Sequence, residues 1–160
     1  MAARKPLVIV NGQVQQIQAG DTLDAIVNEV DVTQATNNEA GTIVIGTPVY
    51  VDAAGTVKKA QADAVLTSRV LGLVQDATIA TSNSGSIQTD GVFVASTGEW
   101  DAVAGTTGGL TPGINYFLDP TTAGQLTSTA PTTTGQVVVN LGLALSATEL
   151  DINNMQTVLL

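Results

Sequence analysis

From Thr42 onward the chain runs in extended segments only a few residues long, each cut off by Gly, Pro, Asp or Asn before a helix of ordinary length could form. The segments are Thr42 to Ile45, Pro48 to Val51, Thr56 to Lys59, Val70 to Val74, Ser86 to Gln88, Val92 to Ala95, Trp100 to Val103, Asn115 to Leu118, Val137 to Leu141 and part of Leu143 to Ile152. Short strands at this spacing imply an all-β fold, an antiparallel barrel or sandwich, with no long helix. Composition agrees. Hydrophobic residues make up 44% of the chain but aromatics only 3%, so the core must be built from Val, Ala, Leu and Ile, which suit closely spaced sheets. At 160 residues the chain suits one domain, with an appendage at most.

That appendage lies at the amino terminus. Leu7 to Val10 and Gln13 to Ile17 flank Asn11-Gly12, and Asn-Gly between two extended runs is a strong hairpin signal because a type I′ turn needs two positive φ angles. A lone hairpin is marginal in water, so it must pack, either as the first hairpin of the domain or as a partner-binding arm. From Asp21 to Thr33 helical spacing at Leu23, Ile26, Val27 and Val30 competes with strand-like alternation at Val30 to Thr33; we favour strand from Ile26. Thr33 to Gly41, rich in Thr, Asn and Gln, reads as a loop. The chain thus divides into an arm and linker, residues 1–33, and a β-body, residues 34–160.

The body carries an internal echo. Thr47-Pro48, Tyr50, Asp52, Gly55, Val57 and Leu71-Gly72-Leu73 are matched by Thr111-Pro112, Tyr116, Asp119, Gly124, Leu126 and Leu141-Gly142-Leu143. Two related halves, about 42–80 and 107–152, would make a two-part body; chance similarity between hairpins would look the same. Gly72 and Gly142 stand where a sheet could bulge or bend.

Chemistry is sparse. Acidic residues outnumber basic ones 14 to 5, giving a net charge of −9 that repels a phosphate backbone, so nucleic acid is not an expected partner. With no His and no Cys there is no imidazole base, thiolate or soft metal site, and neither a nucleophile elbow nor a phosphate loop occurs. The acidic pairs Asp21/Asp24, Glu29/Asp31, Glu99/Asp101 and Glu149/Asp151 could serve hydrolysis or hold calcium, but none has the spacing of a calcium loop, and they read as solvated faces. Glu99 and Asp101, near Asp90, are the first cation candidates. Trp100 between them could be an exposed contact or sugar platform, or part of the core or a subunit interface. We expect no catalytic residue, cofactor or metal. The apolar run Leu7 to Val10 is too short for a signal or membrane span, so no membrane association is expected and synthesis is expected in a cytoplasm.

Gly46 to Tyr50 with Asp52 and Gly55, Val70 to Leu73, Gly91 to Val94, Gly109 to Gly113, Tyr116 to Asp119, Gly124 to Leu126 and Gly142 to Leu150 together resemble a β-rich module of tailed-bacteriophage virion proteins, and Ile17 to Leu23 is similar to segments of the same kind of protein. The resemblance covers most of the chain. It implies a capsid decoration (cement) protein or a head or tail fibre, supplies no catalytic residues, and for the cement role implies homotrimers on the outer shell, bound to the major capsid protein. The chain carries no shaft or repeat array of the kind a fibre adds. The expected function is therefore capsid decoration, with a fibre or adhesin module second and a carboxylate enzyme third. Arg4, Lys5, Leu7, Ile9, Val14 and Ile17 are the expected capsid- or neighbour-facing residues of the arm.

Overall fold

The computed structural model describes residues 7–10, 13–16, 30–152 and 157–160. Its strands are short, as turn-forming residues require. At the amino terminus β1 (Leu7–Val10) and β2 (Gln13–Gln16) form an antiparallel pair with Val10 opposite Gln13.

In the body, β3 (Val32–Asn37), β5 (Pro48–Ala53), β6 (Thr56–Lys59), β7 (Val70–Val74) and β9 (Ser84–Gln88) close into a five-stranded barrel, while β4 (Ile43–Val44) and β8 (Thr78–Ile79) pair beside it. Going round from β3 the order is β3-β9-β7-β5-β6, and a parallel contact between β3 and β6 closes the ring. Ile43, Val49, Val57, Val74, Ile79 and Ile87 fill the interior.

The remaining strands repeat that order. β10 (Gly91–Val94), β14 (Glu149–Ile152), β13 (Val137–Ala144), β11 (Asn115–Leu118) and β12 (Leu126–Thr127) lie side by side, with β15 (Thr157–Leu159) added to the start of β13. The registers agree residue by residue. Gly72 faces Val49 and Gly142 faces Tyr116, each beside a bulge in its own strand, at Leu71 and Leu141. Tyr50 thus corresponds to Phe117, Leu73 to Leu143, Gln88 to Asp151 and Val32 to Val92. The geometric halves extend over residues 32–88 and 91–152, wider than the sequence echo outlines, and Tyr50 and Tyr116 are one position out of step.

The second set is not closed. The chain leaves β10 at Val94 and turns into the helix α1 (Thr97–Ala104), which packs against β12 where the first set has its parallel contact. A strand was expected at Trp100 to Val103; α1 stands there because Ser96 and Glu99 form a reciprocal capping box and Gly105 terminates the turn. The open core receives Trp100, with Phe93 edge-on at 5.5 Å between ring centroids. It also receives Ala60, Ala62 and Leu73 from the barrel, so the two sets share one core. Hydrogen bonds from Ala62 N to Asp119 O (3.0 Å), Val137 N to Ala62 O (3.0 Å) and Gly124 N to Ala60 O (2.7 Å) stitch the junction.

The loop expected over Thr33 to Gly41 is another correction, since most of it is β3. Its polar residues pair across the ladder, Gln34 Nε2 donating to Ser86 Oγ at 2.9 Å and Thr36 Oγ1 lying 3.0 Å from Ser84 Oγ. Buried Asn37 donates through Nδ2 to the carbonyls of Gly41 and Ile79. Residues 26–29 of the strand expected from Ile26 lie outside the described residues.

A Cβ on Gly72 would stand 2.2 Å from the Gln88 carbonyl oxygen, and one on Gly142 would stand 2.2 Å from that of Asp151. Gly72→Ala and Gly142→Ala are therefore each expected to lower unfolding stability by about 2–4 kcal/mol, in the range of strong core strain. Gly98→Ala, with open space at its Cβ inside α1, is expected to raise it by up to about 1 kcal/mol. Urea unfolding of the three variants checks both signs.

Candidate functional site

Glu99 and Asp101, the first cation candidates, are committed to the backbone. Glu99 Oε2 accepts from Ser96 N at 2.7 Å and from Ser96 Oγ at 2.8 Å. Asp101 accepts from Gly109 N (2.8 Å) and Thr106 Oγ1 (2.9 Å) through Oδ1 and from Gly108 N (3.0 Å) through Oδ2. The Ser96 backbone N–H, then its hydroxyl, holds the Glu99 carboxyl below its usual range; the N–H groups of Gly109 and Gly108 do the same for Asp101. These carboxylates fasten α1 and the loop after it. Among the described residues no three His, Cys, Asp or Glu side chains are grouped to hold a metal ion, and Asp21, Asp24 and Glu29 lie outside them.

Trp100 is not the exposed contact it could have been. Its side chain is fully buried and its Nε1 donates to Thr148 O at 3.1 Å, so neither face of the ring is open to a sugar.

Of the expected arm residues, Leu7, Ile9 and Val14 belong to the hairpin, with Ile9 opposite Val14 and Leu7 opposite Gln16. Arg4, Lys5 and Ile17 lie outside the described residues. The hairpin forms a sheet of its own, separate from those of the body.

A surface not singled out by the sequence lies on the outer face of the second sheet. Directly opposed residues point to the same side, so the ladders give two parallel rows, Leu143–Asp151–Val92 and Leu145–Glu149–Val94. Val94 is 62% exposed and Leu145 48%, and Phe117 stands half-buried on the same face. Two carboxylates thus lie amid branched apolar side chains. The ion pair found among the described residues is elsewhere, between Lys58 Nζ and Asp52 Oδ2 at 3.4 Å. The first set treats the corresponding positions differently, because Leu73 and Tyr50 pack into the shared core. The signal lay in Val92-Phe93-Val94, a run apolar on both faces where a solvated sheet would alternate.

No known protein family matches this chain, and no curated protein matches it.

Because Glu99 and Asp101 have lowered pKa values, their contribution to stability is present above the unfolded-state carboxylate range and is lost as the pH falls through their folded values. Stability is expected to fall as the pH drops from about 5 to about 3. Asp101→Asn is expected to be less stable than the parent at neutral pH, with the gap narrowing over that interval. Urea midpoints read by Trp100 emission measure this; a gap independent of pH would contradict the assignment.

Proposed function

We propose that this chain is a non-enzymatic virion structural protein that decorates the outer surface of a bacteriophage capsid and stabilises it by bridging capsid subunits as a homo-oligomer, a trimer by resemblance. The observation that carries the reading is the outer face of the second sheet, where Val92, Val94, Leu143 and Leu145 surround Glu149 and Asp151. Apolar side chains gathered at one surface suit a macromolecular contact. The phage-like motifs supply the shell as partner. The charge of −9 suits an outside position, since it opposes contact with packaged nucleic acid.

The mechanism is mass action. A protein that binds the closed shell and not its separated subunits stabilises the shell by about 2.7 kcal/mol per site when its free concentration is a hundredfold above Kd. Contacts to two neighbouring subunits, or linkage of several copies in one oligomer, multiply that effect through avidity. Modest contacts repeated over a shell are sufficient, and no step requires a cofactor or a bond-making residue. No helix among the described residues is long and apolar enough to cross a membrane.

Undecorated capsids mixed with the protein are expected to bind it to saturation and to break open at a higher temperature than bare capsids, measured by sedimentation and by heating with a nucleic-acid dye. Protein that stays in the supernatant and leaves the disruption temperature unchanged would overturn the reading. If the same protein bound glycans, the fibre or adhesin function would replace it.

A further inference from the structure

Among the described residues the edge of the second sheet at β10 is open along its whole length, whereas β3 of the barrel is closed at its far end. Ala95 N donates to Thr148 O at 3.0 Å, which sets the odd-numbered residues of β10 towards β14 and turns the backbone N–H and C=O groups of Val92 and Val94 outwards. In the first set β3 runs on past the level of Val94, and there its outward groups are used, Thr36 N donating to Gly55 O and Asn38 N to Val57 O at 2.9 Å each, so that the barrel closes, while those of Val32 and Gln34 have no backbone partner among the described residues. The edge of β10 has no such partner among the described residues, and the 62%-exposed side chain of Val94 stands on it. An open apolar edge invites another strand.

The chain carries a strand that fits. β1 is four residues long, as β10 is, and consists of Leu, Val, Ile and Val, the composition of a strand covered on both faces rather than of a solvated hairpin. A two-stranded hairpin is at best marginally stable alone in water. Arg4 and Lys5, two of the five basic residues of the chain, immediately precede it, and the strand next to β10 carries Glu149 and Asp151. Hairpin and edge are therefore matched in length, apolar character and charge.

We infer that the amino-terminal hairpin of one copy adds to the β10 edge of a second copy, β1 pairing with β10. Each copy carries the hairpin and the open edge of β10, and the hairpin forms a sheet of its own, so exchange between copies satisfies both. The contact is head-to-tail and closes when the copies form a ring. It rests only on the homo-oligomer part of the proposed function.

The test needs no capsid and uses full-length chains. Val94→Pro removes an outward N–H while leaving the hydrogen bonds between β10 and β14 intact, and Ile9→Pro disables the donor hairpin. Light scattering after size exclusion is expected to give an oligomer for the parent and the 16.2 kDa single chain for each variant. A mixture of the two variants is expected to regain a two-chain species, because one hairpin and one edge remain intact between them. Val94→Lys repeats the edge variant without backbone change, and unchanged Trp100 emission establishes that the variants are folded. A single-chain parent, variants that keep the parent mass, or a mixture that stays single-chain would each overturn the inference, the last showing that the hairpin docks on its own chain. Shell binding without oligomer formation would reject this contact alone; an oligomer that ignores the shell would reject the decoration function alone.

Discussion

Two backbone contacts without room for a side chain govern the architecture. At Gly72 against Gln88 and at Gly142 against Asp151, adjacent strands approach so closely that a methyl group would overlap a carbonyl oxygen. Beside each contact the glycine's own strand carries a bulge, Leu71 being the extra residue opposite Val49 and Tyr50 in one set and Leu141 the extra residue opposite Tyr116 and Phe117 in the other. A bulge increases local twist, and the twist curls five short strands around a narrow core of Val, Ile and Ala with few aromatics. Larger side chains at these points would hold the sheets apart.

The same curl has two outcomes because the strands that meet at the seam differ. β3 continues to Asn37 and reaches β6, closing the barrel. β10 stops at Val94, and the Ser96 capping box starts a helix that places Trp100 in the gap. The second set therefore stays open, borrows Ala60, Ala62 and Leu73 from its neighbour to complete its core, and has, among the described residues, an unpaired β10 edge and an apolar outer face. The surfaces suited to assembly arise from that incomplete closure.

Much of this was legible in the sequence where local chemistry and tertiary environment agree. Thr56–Lys59, Val70–Val74 and Asn115–Leu118 stand where the turn residues bracket them, and the two Leu-Gly-Leu segments mark the close approaches. Where the two disagree, the sequence misled. Polar Gln34 and Thr36 look like loop residues until Ser84 and Ser86 stand opposite them. Val103 and Trp100 look like strand residues, although Ser96-Thr97-Gly98-Glu99 ahead of them carries a capping-box spacing. The outer face at Glu149 and Asp151 was only half legible: Val92-Phe93-Val94 is apolar on both faces, but the two carboxylates gain their meaning from Val92 and Val94, more than fifty residues earlier and brought beside them only by the ladder. No local pattern encodes that neighbour.

We propose that this chain acts as a bridging element on a shell rather than as a catalyst or free ligand-binding module. Electron cryomicroscopy of capsids incubated with the purified protein tests that claim most directly. Added density is expected on the outer surface, shaped as an oligomer of the two-part β-body and touching neighbouring capsid subunits. A reconstruction identical to that of the bare capsid would contradict it.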